Sequence, residues 1–205
     1  MPPFTVLHVC LGNICRSPMA ERLLALAVRE RLARRGAADT DDVDRLVHSH
    51  SAGTGGWHAG EEMNPPAARQ VRSRGGDVAD FGARKLRSEH IDAADLVLTA
   101  TADQQEYVVA LRPDAADRTF VLGEFGRLLP TVDAAVLPPA DLADPDAVYA
   151  RGTALVAAVA AARSGSSPLP GDDLDDPWGR GDQCFSRVAD EIEDAVRPLA
   201  AVLLP

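Results

Sequence analysis

Apolar and polar positions along this chain repeat at two different periods. A short, mainly apolar run from Phe4 to Val9 has the length and composition of a buried strand. From Met19 to Arg34 the spacing changes. Ala20, Leu23, Leu24, Ala27, Val28 and Leu32 recur every three or four residues, the single apolar face of a helix that Gly36 ends. Ala37 to Asp44 is polar and acidic and reads as a loop, and Leu46 to Ser51 gives a weaker strand signal. Asn64-Pro65-Pro66 supplies an N-cap and first turn for a helix closed by Gly75-Gly76. Leu96 to Ala100 is a strand, Asp103 to Leu111 a helix stopped by Pro113, Thr119 to Leu122 a last strand and Glu124 to Leu129 a short helix. Strands alternating with helices predict a three-layer α/β fold, with a central four-stranded parallel sheet flanked by helices.

Beyond residue 130 the texture changes. Pro138-Pro139 and Asp144-Pro145 break the pattern, Ala147 to Arg163 is helical, and Ser164-Gly165-Ser166-Ser167-Pro168 resembles a linker. An acidic loop, Asp172 to Gly179, leads into a final helix. Phe185, Val188, Ile192, Val196 and Leu199 make its docking face, with Pro198 placed to kink or end it. A length of 205 residues suits a single domain, 1–205, with an insertion at about 130–172.

Composition narrows the function classes. The apolar share of 46% supports an ordinary core, and 4% aromatics makes that core aliphatic. A net charge of −10 argues against nucleic acid or an anionic membrane as partner. No apolar run reaches membrane-spanning length. Met1-Pro2-Pro3-Phe4 lacks the charged start of a signal peptide, and three cysteines make no disulfide framework, so a reducing cytoplasm is the expected home. No Cys-x-x-Cys or His-x-x-x-His spacing suggests a metal, and His8 inside the first strand reads as a packed or hydrogen-bonded residue. A monomer or weak dimer is expected.

The chemistry gathers between the first strand and the first long helix, in Cys10-Leu11-Gly12-Asn13-Ile14-Cys15-Arg16-Ser17-Pro18. Ser17 fits the N-cap and Pro18 the first helical position. A loop ending at a helix N-terminus meets free N–H groups and a positive dipole end, which suit an anion. Gly12 and Asn13 tolerate the positive φ that curls successive N–H groups into a nest. The same environment favours a thiolate at Cys10, and Arg16 returns a planar fork able to hold two phosphate oxygens. A Gly-rich stretch, Ser51 to His58, follows the second strand and should reach the same sheet edge; its Trp57 either caps the core or walls a pocket. A thiolate attacking phosphorus also needs an acid for the leaving oxygen. Asp176-Pro177-Trp178 could supply it, although four aspartates in five residues could equally be a solvated loop.

The Cys10 to Pro18 string resembles the phosphate-binding loop of the low-molecular-weight protein tyrosine phosphatases. The resemblance covers most of residues 4–126 and 174–204. It implies Cys10 as nucleophile, Arg16 as phosphate clamp, and Leu11, Gly12, Asn13, Ile14, Cys15, Arg16 and Ser17 as the phosphate-binding loop. It further implies Asn13 as the loop's brace and Ser17 as the thiolate's hydrogen-bond partner. In that family the general acid is an Asp followed by Pro and an aromatic just before the last helix. Asp176 matches, with Asp175 its nearest rival, and Trp57 and Trp178 become pocket walls. Cys15 becomes a redox candidate, able to form a reversible disulfide with Cys10. The expected partners are phosphotyrosine-bearing proteins and a cognate tyrosine kinase, with no cofactor and no metal. Family members are usually shorter, and the excess here falls in residues 36–46 and 130–172.

Two relatives of that family offer rival readings. A protein-arginine phosphatase resembles the loop but carries Thr where this chain has Ile14. A thiol-dependent arsenate reductase needs two further cysteines to relay oxidation, and only Cys184 lies outside the loop.

Overall fold

The structure is a computed structural model that describes residues 1–36 and 42–205. The elements in chain order are β1 (Phe4–Cys10), α1 (Arg16–Arg34), α2 (Asp42–Leu46), β2 (Val47–Gly53), α3 (Pro65–Ser73), α4 (Ser88–Asp92), β3 (Leu96–Thr99), α5 (Ala102–Leu111), β4 (Thr119–Val121), α6 (Leu122–Leu128), α7 (Pro145–Arg163) and α8 (Asp182–Leu203). The four strands form one parallel sheet in the order β2-β1-β3-β4. Every residue of β1 is buried, because the strand is covered on both faces. Phe4, Val6 and Cys10 face the large core shared with α1 and α8; Leu7 and Val9 face the smaller one under α4 and α5. The chain leaves β1 toward β2 on one side and later returns to β3 on the other, so the loop after β1 stands at the switch point of the sheet, where open α/β sheets bind ligands.

Three local expectations are corrected. The acidic stretch read as a loop lies outside the described residues from 37 to 41, but Asp42–Leu46 is a helical turn, because Val43 and Leu46, three apart, are both buried. Asp144-Pro145 starts a helix: Asp144 accepts from Asp146 N at 2.9 Å and Pro145 occupies the first turn. Pro198 neither ends nor stops α8, because Val196, Leu199, Ala200 and Leu203 stay buried on either side of it.

Residues 145–163 belong to the core. Val148, Leu155 and Val159 are fully buried, and Gly152 lets α7 approach so closely that a Cβ there would stand 2.4 Å from the Phe4 ring. Arg151, buried on the same helix, donates to Val202 O and Pro138 O, both at 2.6 Å, tying the segment to the end of α8. Among the described residues no helix is long and apolar enough to cross a membrane.

Candidate active site

β1 delivers Cys10 to the C-terminal edge of the sheet, and the chain then turns through Asn13, which adopts φ 56°. That left-handed residue starts the helix early. Helical geometry begins at Arg16, so Ser17 sits inside the first turn instead of capping it. Its hydroxyl points elsewhere, to Cys10 Sγ at 3.0 Å. Ser17 Oγ accepts from Asn13 Nδ2 at 2.9 Å, and its own proton faces two acceptors, Cys10 Sγ and, at 3.5 Å, Ala52 O. The backbone N–H groups of Gly12 to Cys15 donate to no acceptor among the described residues, the arrangement of an anion-binding nest.

Asn13 is buried and braces the loop at both ends of its amide. Nδ2 donates to Ser17 and, at 2.8 Å, to Ser51 Oγ on β2; Oδ1 accepts from Arg84 N at 2.9 Å. Ser51 Oγ in turn donates to Glu21 Oε2 at 2.5 Å. Burial raises the pKa of Glu21 above the usual carboxylate range. The second strand lies very close behind the loop. Thr54 N and Gly55 N donate to Cys10 O and Leu11 O at 2.9 and 2.8 Å, and Asn64 N donates to Ile14 O at 2.9 Å.

Arg16 is 5% exposed and tied to the far end of the chain. Its Nη1 donates to Leu174 O at 3.1 Å, and Leu174 N itself donates to Ala100 O at 2.8 Å, just past β3. Arg16 Nη2 lies 3.5 Å from Asp176 Oδ2, and Arg16 Nε is buried without a hydrogen-bond partner. The rival Asp175 faces away. It accepts from Arg187 Nη2 at 2.6 Å, and that hydrogen bond holds its carboxyl below the usual range. Asp173 accepts from Ala102 N and Asp172 is held by Arg127, while Asp176 accepts from Trp178 N at 3.2 Å through Oδ1 and turns Oδ2 toward Arg16 in the cavity.

Cys10, Leu11, Gly12, Ile14, Cys15, Arg16, Trp57, His58, Asp176 and Trp178 line one cavity of about 190 Å³. Trp57 is 70% exposed and Trp178 56%, so neither caps the core. The Trp57 ring lies over Gly55, where a Cβ would fall 1.8 Å from it, so any larger residue there would push the ring aside. Burial, followed by the neighbouring Cys10 and Asp176, pushes the Cys15 thiol up to about 12. Cys184 is buried on α8 beside Arg187 and does not line the cavity.

The Ser51 to His58 stretch was expected at this edge of the sheet, whereas Glu21 was not expected as part of the site. His58 lies over the loop, its Cδ2 3.1 Å from where a Cβ on Gly12 would be. Its Nδ1 is 2.8 Å from Glu61 Oε2, and its ring centroid is 5.9 Å from that of Trp178. Glu21 and Ser51 support the loop from behind. Glu21 had a visible signal: it lies four residues after Ser17, on the apolar face of α1, where a carboxylate needs a partner. His8, by contrast, is packed as expected, 1% exposed with Nε2 3.2 Å from Ser49 Oγ.

The model of the low molecular weight phosphotyrosine protein phosphatase family matches residues 5–161. The chain belongs to that family. A low molecular weight protein-tyrosine-phosphatase of Streptomyces coelicolor is 34% identical over 146 residues, 71% of this chain and 79% of the relative. A protein-arginine-phosphatase of Geobacillus stearothermophilus is 34% identical over 124 residues, 60% of this chain and 72% of the relative. The crystal structure of YfkJ from Bacillus subtilis superposes with a TM-score of 0.64 at 22% identity, covering 98% of this chain and 94% of that one, which establishes the common fold.

Proposed function

We propose that the chain hydrolyses phosphotyrosine, an aryl phosphate monoester, through a cysteinyl-phosphate intermediate. The observation that carries this reading is the convergence of Cys10, Arg16 and Asp176 on one cavity walled by Trp57 and Trp178. In the first step Cys10 Sγ attacks phosphorus in line. The S–P bond forms, the P–O ester bond breaks, and Asp176 gives its proton to the leaving phenolic oxygen. In the second step Asp176 takes a proton from water, which attacks the same phosphorus and releases phosphate and the free thiolate. Charge on the equatorial oxygens is stabilised by the N–H groups of Gly12 to Cys15 and by Arg16, whose unpartnered Nε and neighbouring Nη2 offer the fork. This cradle and Arg16 take the electrostatic role a metal ion plays in other phosphoryl-transfer sites. Ser17 steadies the thiolate that departs in the second step, and Asn13 keeps the loop in shape.

The aromatic walls and the apolar Ile14 on the cavity lining favour a phenyl ester over a phosphoguanidinium. The substrates we infer are phosphotyrosine-bearing proteins in the cytoplasm, made by a cognate tyrosine kinase, with the chain acting as a monomer or weak dimer. We treat 1–205 as one catalytic domain in which residues 130–172 form an insertion whose helix α7 packs into the core. Cys15 is the partner we assign for protecting the nucleophile. Peroxide converts the Cys10 thiolate to a sulfenic acid, the Cys15 sulfur displaces water from it, and a reductant thiol restores both.

Phenyl phosphate hydrolysis by the wild type, Cys10→Ser and Asp176→Asn tests the mechanism. Cys10→Ser should be inactive, and Asp176→Asn should lose about 10²–10⁴-fold in kcat. Turnover surviving in Cys10→Ser overturns the mechanism. Faster hydrolysis of a phosphoarginine peptide than of its phosphotyrosine counterpart overturns the substrate reading.

A further inference from the structure

Most arginines of this acidic chain are spoken for by carboxylates, among them Arg74 with Glu193, Arg112 with Asp92 and Arg187 with Asp175. Residues 84–87 are different. Arg84, Lys85 and Arg87 are exposed and form no ion pair among the described residues. They stand beside the phosphate loop because the segment pairs with the end of β2. Gly53 N donates to Arg84 O at 2.9 Å and Leu86 N to Gly53 O at 2.7 Å.

Extended backbone sends alternate side chains to opposite faces. Leu86 is buried and Arg87 is extended at φ −128° and ψ 159°, so Lys85 and Arg87 leave on the side away from Leu86. The Lys85 stem runs along Gly56, its Cδ 3.2 Å from where a Cβ on that glycine would be. Gly56 precedes Trp57, so the Lys85 stem lies against the loop that carries the Trp57 wall of the cavity. Arg84 faces the opposite way, toward Glu21, His50 and His90, whose charges it influences. On the neighbouring loop the Glu61 carboxylate is held by His58.

We propose that Lys85 and Arg87 form a docking track for acidic residues flanking the phosphotyrosine of a protein substrate. The inference rests on the phosphotyrosine reading above and names the substrates that reading takes best. The loop and Arg16 bind the phosphate of any aryl ester, whereas the track touches only side chains one or a few residues along a peptide. Asp and Glu carboxylates there pair with the Lys85 ammonium and the Arg87 fork against an overall charge of −10 that otherwise repels them. Such contacts are equal in the ground and transition states, so they lower KM and leave kcat alone.

The test compares three substrates: phenyl phosphate, a phosphotyrosine peptide with glutamate neighbours, and the same peptide with alanine neighbours. Wild type should favour the glutamate peptide about three- to tenfold in kcat/KM, a preference that added salt erases. The Lys85→Ala/Arg87→Ala double variant should lose that preference through KM while its kcat on phenyl phosphate stays unchanged. A Lys85→Glu variant should prefer a lysine-flanked peptide. Equal rates on the two peptides with wild type overturn the track, as does a variant that slows all three substrates alike. Wild type that fails on phenyl phosphate as well overturns the phosphotyrosine reading itself, a distinct result.

Discussion

Replacing Gly53 by alanine puts one methyl group into the narrowest gap behind the phosphate loop. The new Cβ would lie 2.8 Å from Leu11 O, 2.9 Å from Asn13 N and 3.0 Å from Gly12 C. All three are backbone atoms, so no side chain can swing aside. Carbon contacts relax at about 3.5 Å or more, so β2 and the loop must separate by roughly half an ångström. The hydrogen bonds from Thr54 N to Cys10 O and from Gly55 N to Leu11 O resist that movement. Overpacking of this kind costs about 1–3 kcal/mol, with Tm falling about 2–4 °C per kcal/mol in a chain of this size. The activity loss should be larger than the stability loss suggests, because the displaced atoms are the ones that cradle phosphate. A misplacement approaching 1 Å costs about 10²-fold in rate. The assay is kcat on phenyl phosphate well below the variant's Tm, with inhibition by inorganic phosphate as a second readout of loop shape. A folded variant with kcat within about threefold of wild type, and unaltered phosphate inhibition, would refute the argument that this contact sets the loop.

Two further outcomes are expected. Burial first, and then His50, lowers the pKa of His8 to about 3, while burial first, and then His48, lowers that of His50 to about 4. Both are therefore neutral in the fold, whereas the unfolded chain takes up protons below about 6.5; stability is complete above that pH and declines as pH falls toward 3–4. For His8 alone the decline by pH 5 is about 2 kcal/mol, visible as a falling urea midpoint, and a His8→Leu variant should show a shallower acid slope. Gly152→Val should cost about 1–3 kcal/mol and lower Tm without changing KM, since a Cβ there would strike the Phe4 ring at 2.4 Å, far from the cavity; an unchanged Tm would mean that α7 is loosely held.

Strand β1 and the loop after it were legible because a mainly apolar run, a residue type that tolerates positive φ and a helix start occur there in close succession. Asp176 could be told from Asp175 by the Pro and Trp that follow it, and Arg187 explains the difference in space, since it pairs with Asp175 and not with Asp176. What stayed hidden had long-range causes. Ser17 carries the residue type of an N-cap, but Cys10 competes for its hydroxyl seven positions back in the chain. Asp144-Pro145 has the signature of a break and of a helix start alike, and the buried Val148 and Leu155 decide between them. Lys85 gains its place against the Trp57 loop from a pairing with Gly53, thirty-two residues away, that no local pattern announces.

The hydrogen bond from Arg16 to Leu174 has a consequence for how the molecule comes into being. Cys10 is made near the beginning of synthesis, but the guanidinium of Arg16 in the same loop is held by a carbonyl 158 residues later. A nascent chain that has already formed β1 and α1 thus carries a thiol in an unfinished cradle. Competence arrives only when the segment around Leu174 docks at the end of β3, placing Asp176 beside Arg16 in the same event. Arg16 and Asp176 are brought together in that one event, so a half-made chain holds an Arg16 with neither Leu174 O nor Asp176 beside it.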